Sequence, residues 1–230
     1  GPASTVAAIP IVTDGRVRAT LTLGRTSDVR PFDAVEQQEL EAVADVVGAV
    51  LGNVELRSEL SESALRDPLT DLYNRTYLDA ALDQLLALRR RMKSEDRRPM
   101  AVILFDLDGF RRFNEDHGRE MGDQALHAVG GVVRQRFRVS DTMARIGGDG
   151  FLVVMDGASR EDAAKAASDV RSRVRGLNLA TSRGEAVRIS VSAGCATFVE
   201  ADPGAQAVIR TVEAALETAR WSGKDAIVSI

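Results

Sequence analysis

Residues 145–151 read Arg145-Ile146-Gly147-Gly148-Asp149-Gly150-Phe151, and they lie between two short apolar runs, 141–146 and 151–155. Two glycines, an acidic residue and a third glycine between strand-like segments predict a hairpin whose tip turns tightly and lets a ligand approach the backbone. The chain on either side alternates strand and helix. Met100–Leu107, rich in Val, Ile, Leu and Phe and ending in Asp106-Leu107-Asp108, has the content of a buried central strand. Helical segments follow at about 110–117 and 119–138, separated near Gly118, and then the hairpin. A helix from Arg160 to about Gly176, a strand from Val187 to Phe198, a helix from about Gln206 to Ser222 and a strand from Asp225 to Ile230 complete the pattern. This order predicts an α+β fold, with helices layered on a central, mostly antiparallel sheet.

The N-terminal stretch is different. Residues 6–12 and 16–24 are strand-like around Asp14-Gly15, a strong hairpin signal, but two strands cannot bury a core alone. Asp33, with Glu36 three residues later, predicts an N-cap and capping box for a helix running to about Arg66. Along it Leu40, Val43, Val47, Val50 and Val54 keep a 3,4 spacing, which Leu56, Leu60 and Leu65 resume after a change of phase. One apolar stripe of this length packs on the small sheet or pairs with a second copy. Our reading is that it does both in succession. Pro68 then ends the long helix, and Asn74 can cap the next, which extends to about Lys93 and buries Leu78, Leu82, Leu85, Leu86 and Leu88. Arg89-Arg90-Arg91 reads either as a phosphate-binding cluster or as a solvated helix end.

Composition bounds the function classes. At 44% hydrophobic but only 4% aromatic residues, the core is expected to be built from Leu, Val, Ile and Ala. With a net charge of -4, nothing recommends a sequence-wide nucleic-acid or membrane surface, and a basic patch would be local. The single cysteine, Cys195, rules out an intrachain disulfide and fits a cytoplasmic protein; in its apolar run it reads as a small core residue rather than a reactive thiol. No apolar stretch approaches the roughly 20 residues of a membrane helix, and no signal peptide opens the sequence. Gly1-Pro2 has the form of residues left after tag removal, so upstream sequence is expected to be missing.

On residue type and placement alone, Asp106 at a strand end and Asp149 at the hairpin tip are the best carboxylate pair. If their strands are neighbours, both converge on one sheet edge, where hard oxygens suit Mg2+ and substrate phosphates. Gly147 and Gly148 would let a nucleotide lie against backbone amides. A structural cap accounts for either aspartate alone.

Several motifs in order resemble one family. Asp67-Pro68-Leu69-Thr70 followed by Leu72-Tyr73-Asn74-Arg75 is similar to an opening DxLTGLxNR motif, with Asp71 in place of its glycine. Phe105-Asp106-Leu107-Asp108 through Phe113-Asn114-Glu115-Asp116 to Gly122-Asp123 resembles an FDxDxFKxxND…GD run. Ser190-Val191-Ser192-Ala193-Gly194 and Ala214-Ala215-Leu216 through Ala219-Arg220 and Gly223-Lys224 match the closing motifs. Residues 67–230 thus resemble the GGDEF domain of diguanylate cyclases, which condense two GTP into cyclic di-GMP. Residues 1–52, a hairpin and a helix, resemble the C-terminal part of a GAF-like sensor domain, and 53–66 would be a coiled-coil linker.

The resemblance implies a palm-like sheet and Mg2+ as cofactor, with two ions per GTP site in an active enzyme; the apolar stripe of the 33–66 helix adds the expectation of a parallel homodimer. The resemblance assigns Asp106 and the Leu107 carbonyl to the metal, to which the carboxylate pairing argued above adds Asp149 as a candidate ligand. It places Gly147 and Gly148 at the catalytic turn, and Asn114 and Asp123 on the guanine edge, whose donor and acceptor order adenine inverts. Arg111, Arg220 and Lys224 stand at positions for the triphosphate, the two arginines replacing Lys. Arg138-Val139-Ser140-Asp141 falls where the family carries its RxxD inhibitory site, at which Arg138 and Asp141 would bind the product. A solvated surface pair is the other reading of that string.

The departure is in the signature itself. The family reads G-G-(D/E)-E-F, and here Gly150 stands at the glutamate. Successive strand side chains point to opposite faces, so Asp149 cannot simply replace the missing carboxylate. Three readings follow. The first is a degenerate domain that binds GTP or cyclic di-GMP with little or no cyclase activity, the second a weak cyclase using Asp106 and Asp149, and the third a structural dimerisation module.

Overall fold

The computed structural model describes residues 5–13, 16–25, 30–181, 184–199 and 204–230, and the side chains of 5, 13, 49–63 and 94 lie outside the described set. The Asp14-Gly15 turn, and the apolar positions Val50, Val54, Leu56 and Leu60, therefore fall outside it. Two compact units are present, Gly1–Ala64 and Leu65–Ile230.

In the first unit β1 (Thr5–Thr13) pairs antiparallel with β2 (Arg16–Arg25), and α1 spans Ala34–Ala64. The start of α1 is a reciprocal cap. Asp33 Oδ1 accepts from the Glu36 amide at 2.9 Å, and Glu36 Oε2 accepts from the Asp33 amide at 2.9 Å. Ile11 and Ala44 are its buried apolar residues, Leu40 and Val47 are half-buried, and Val43 and Val46 are exposed. The apolar stripe is thus split between two sides of the helix within its first half.

The second unit is built on a five-stranded sheet in the order β4-β5-β3-β8-β9. These are β3 (Met100–Leu107), β4 (Thr142–Ile146), β5 (Gly150–Asp156), β8 (Val191–Phe198) and β9 (Ile227–Ser229), with β6 (Leu179–Ala180) and β7 (Ala186–Val187) forming a separate two-residue pair. Around them lie α2 (Arg75–Arg91), α3 (Phe110–His117), α4 (Arg119–Arg136), α5 (Arg160–Arg175) and α6 (Ala205–Trp221). Every pairing in the large sheet is antiparallel except β8 with β9. The fold is the expected α+β one: a central sheet flanked by helices, with an N-terminal hairpin and long helix.

Strand β3 is central because its residues are apolar on both faces. Ala101, Ile103, Phe105 and Leu107 enter one core with α4 and α5 residues such as Val129, Val133, Ala166 and Val170. Met100, Val102 and Leu104 enter the other, with Leu78 and Leu82 of α2 and Val212 and Leu216 of α6. At Gly194 a Cβ would stand 2.3 Å from the Leu216 amide nitrogen, so α6 lies directly on β8 there. Cys195 is fully buried, and burial pushes its thiol up to about 12, the inert core residue expected.

Some boundaries and burials differ from the sequence-based expectations. The strand expected over Val187–Phe198 is two strands separated by a break at 188–190, and the last strand is confined to Ile227–Ser229, with Asp225 in the preceding turn. Leu88 is 53% exposed and Arg89 is buried in its place. The buried positions 78, 82, 86 and 89 follow the helical period more closely than the leucines do. Arg89 donates to Asp156 Oδ1 at 2.9 Å and to the Phe198 carbonyl at 3.2 Å, so it is neither a phosphate ligand nor part of a solvated end.

Candidate functional site

The glycine-rich tip is held from below by a strut. Arg145, at the end of β4, donates through Nη1 to both carboxylate oxygens of Asp67 at 3.1 Å and through Nη2 to the Gly148 carbonyl at 2.6 Å. Asp67 also accepts from the Thr70 amide at 2.9 Å and the Thr70 hydroxyl at 2.8 Å. Burial acts to raise the Asp67 carboxyl, but the two Thr70 bonds and Arg145 outweigh it and hold it below its ordinary value. In the same turn Asp71 has a left-handed φ of 56°, the conformation for which glycine is suited, and its carboxylate pairs with Arg134 at 3.0 Å.

The strand register decides what Gly150 means. Gly150 is the cross-strand partner of Asp106, so a side chain there would share the Asp106 face of the sheet. That space is closed: a Cβ on Gly150 would stand 2.8 Å from the Ile146 carbonyl oxygen and 3.3 Å from Ile146 Cγ1. Asp149 instead lies on the tip, where its carbonyl accepts from the Leu107 amide at 3.3 Å. Burial pushes the Asp106 carboxyl above its ordinary value; Arg220 works against that shift, and the charge of nearby Asp149 reinforces it.

Arg220, from the last turn of α6, places Nη2 2.6 Å from Asp106 Oδ1 and Nη1 2.6 Å from Glu217 Oε1. Lys224 follows in the α6–β9 turn, its Nζ 3.3 Å from where a Cβ on Gly109 would be, which puts the ammonium over the β3–α3 loop. The sheet edge thus gathers Asp106, Leu107, Asp149, Arg220 and Lys224.

A pocket of about 400 Å³ opens beside this edge, lined by Phe110, Arg111, Asn114, Glu115, Arg119 and Asp149. Asn114 Oδ1 is buried with no hydrogen-bond partner. Its amide rests on Gly122, where a Cβ would come within 1.8 Å of that oxygen. Arg111 is exposed and pairs with Glu115 at 3.1 Å. Asp123, one residue beyond Gly122, is exposed and outside the pocket lining. Glu115 stood in the motif run without a role assigned to it, and Arg119 and Glu217 had no signal in the sequence beyond charge, because their placement depends on how α4 and α6 meet the sheet edge.

Arg138 and Asp141 lie elsewhere. With Arg136, Asp156, Asp162 and Lys165 they line a second cavity of about 240 Å³. Asp141 is buried, and its Oδ2 accepts from the Arg138 amide at 2.9 Å, so its carboxylate already closes the turn that presents Arg138. A solvated surface pair does not describe such a carboxylate.

For magnesium, the donors at the sheet edge suit a single hydrated ion. Asp106, the Leu107 carbonyl and Asp149 are hard oxygens at one strand end, with substrate phosphates left to complete the shell. Position 150 adds no carboxylate to this set, and among the described residues no three of His, Cys, Asp and Glu form a metal-holding group.

Residues 64–226 match the family described as diguanylate cyclase, GGDEF domain. The chain belongs to the GGDEF family. Among curated relatives it is similar to the diguanylate cyclase DgcP of Pseudomonas aeruginosa, 34% identical over 164 residues, which is 71% of this chain and 24% of that protein. It is also similar to the response regulator PleD of Caulobacter vibrioides, 29% identical over 221 residues, 93% of this chain and 47% of that protein. The chain therefore spans less than half the length of either of these relatives. Among solved structures, the coiled coil and GGDEF domain of DgcB from Caulobacter crescentus, in complex with c-di-GMP, superposes with a TM-score of 0.75 at 24% identity, covering 86% of this chain and 100% of that one. The diguanylate cyclase SiaD of Pseudomonas aeruginosa, in complex with its activator SiaC, gives 0.69 at 26% identity, with 85% and 74% covered. GGDEF membership places the chain in the family of cyclic di-GMP signalling. No helix among the described residues is long and apolar enough to cross a membrane.

Proposed function

We propose that this GGDEF domain binds GTP and cyclic di-GMP and makes little or no cyclic di-GMP. The observation that carries the reading is the pairing of Gly150 with Asp106: on the β5 side, the position whose side chain would flank Asp106 on the same sheet face offers no carboxylate, and a Cβ there would meet the Ile146 carbonyl. When bound, Mg2+ supplies stabilisation of the attacking and leaving oxygens in a nucleotidyl transfer. Asp106, the Leu107 carbonyl and Asp149 would hold it. Losing one preorganised charged group at such a site costs on the order of 3 kcal/mol, a hundredfold or more in rate.

The binding residues are better supported. The unpartnered Asn114 oxygen suits a guanine edge, with Asp123 assigned beside it, and Arg111, Arg220 and Lys224 supply charge for phosphates. We assign the second cavity, with Arg138 and Asp141, to cyclic di-GMP. Residues 1–52 are read as part of a GAF-like sensor and 53–66 as a coiled-coil linker. Parallel pairing through the 33–66 helix would control how two nucleotide half-sites meet. The reading as a weak cyclase draws on the proximity of Asp149 to Asp106.

Incubation with GTP and Mg2+, with the products separated by chromatography, tests the proposal. We expect GTP to remain unconverted; cyclic di-GMP that accumulates and disappears in Asp106→Ala would overturn it. Calorimetric titration with cyclic di-GMP tests the second cavity, where Arg138→Ala is expected to weaken binding at least tenfold by removing a charge-assisted contact. Unchanged affinity would sink that assignment.

A further inference from the structure

Asp108 ends the β3 motif two residues beyond Asp106 and reaches neither pocket described above. Its carboxylate nevertheless collects donors from two separate segments. Ser190 Oγ donates to Oδ2 at 2.6 Å, Ser192 Oγ to Oδ1 at 2.7 Å, and the Asp225 amide to Oδ2 at 2.8 Å. The Asp108 amide donates in turn to the Ser190 carbonyl at 2.9 Å. The two hydroxyls lie at the start of β8, and the amide belongs to the turn joining α6 to β9.

That turn is in an unusual conformation. Gly223, Lys224 and Asp225 have φ values of 121°, 59° and 49°, so two consecutive residues with side chains sit in the left-handed region. A residue with a side chain is strained in this region and needs surrounding contacts to persist. Asp225 is gripped from the other side, its carboxylate 3.0 Å from Arg175 and its carbonyl accepting from Arg171 at 2.9 Å. Between these anchors Lys224 is exposed, with its ammonium over Gly109 in the loop that follows Asp108. Gly109 is itself left-handed at 68°, so the loop passes under the ammonium without a side chain.

We propose that Asp108 is a positioning residue for the polyphosphate end of the nucleotide site. By holding the Asp225 amide it keeps the Gly223–Asp225 turn left-handed, and that turn sets the distance between the Lys224 ammonium and the β3–α3 loop. The ligand it tunes is the β- and γ-phosphate portion of a guanine nucleotide. The guanine end, at Asn114 on α3, is outside its reach. The inference rests on the reading of this site as a guanine-nucleotide site.

Calorimetric titration of the whole chain with GMP and with GTP, in magnesium buffer, tests it in the wild type, Asp108→Asn, Lys224→Met and the double variant. Asn removes the charge that the Asp225 amide and the two serine hydroxyls share, and it replaces one of the two acceptor oxygens by an NH2 donor. We expect Asp108→Asn to weaken GTP about tenfold, as for one charge-assisted hydrogen bond, and GMP less than about twofold. Lys224→Met should give a similar loss specific to GTP, and the double variant no more than the larger single loss, because both act through one ammonium. Ser190→Ala, which removes a single donor, should show a smaller loss in the same direction and keeps the test available if Asp108→Asn does not fold. Equal losses for GMP and GTP, or additive losses in the double variant, would overturn the positioning role while leaving the nucleotide site intact. Wild-type protein that binds neither GMP nor GTP would instead remove the nucleotide reading itself.

Discussion

Gly150 couples chemistry to packing at a single residue. Its missing side chain removes a carboxylate from the Asp106 face, and the Ile146 carbonyl, 2.8 Å from the absent Cβ, has taken the space. Alanine there has to push a backbone carbonyl rather than a flexible side chain, so Gly150→Ala is expected to destabilise the protein by about 1–3 kcal/mol. Urea unfolding measures this, and a midpoint equal to wild type would show that the tip can open freely. The loss of the signature glutamate was legible once residues 147–151 were set beside the family's motif. The closure was not, because it depends on how the tip folds back over Ile146. The same holds at Asp71: a motif comparison finds the departure from glycine, and only the backbone shows a left-handed residue with its carboxylate on Arg134.

Elements are tied to one another here by a few buried or half-buried charges. The strut from Asp67 through Arg145 to Gly148 links the turn before α2 to the hairpin tip. Because the folded Asp67 carboxyl lies below its ordinary value of 3.8, its ionised form contributes stability that is complete above 3.8 and is lost as pH falls through the lower folded value. Asp67→Asn should therefore lose on the order of 2 kcal/mol at pH 7 and show a flatter acid limb of stability against pH. A variant whose acid limb parallels wild type would remove Asp67 from that role. Most elements could be read in the sequence, because eight-residue apolar runs and 3,4-spaced helices carry strong periods. The two-residue strands β6 and β7 carry none, and Arg89 was misread because a basic helix end looks solvated until Asp156 and the Phe198 carbonyl arrive beside it.

For the whole molecule, the unit Leu65–Ile230 has a complete two-sided core of its own. Residues 65–230 alone are expected to unfold cooperatively and sediment as a monomer, whereas the whole chain should sediment as a dimer through the 33–66 helix. A monomeric whole chain would sink the proposed mode of regulation. Sequence by itself determined the α+β class, the central place of β3, the inert core setting of Cys195 and the family. These follow from local periodicity, burial propensity and ordered motifs, all of which are properties of neighbours along the chain. Tertiary structure alone decided that position 150 faces Asp106, that Arg220 reaches Asp106, that Asn114 rests on Gly122, and that Asp108 holds the Lys224 turn. Each of these joins residues from different elements, and their register and approach are set by the sheet and by the helices packed on it.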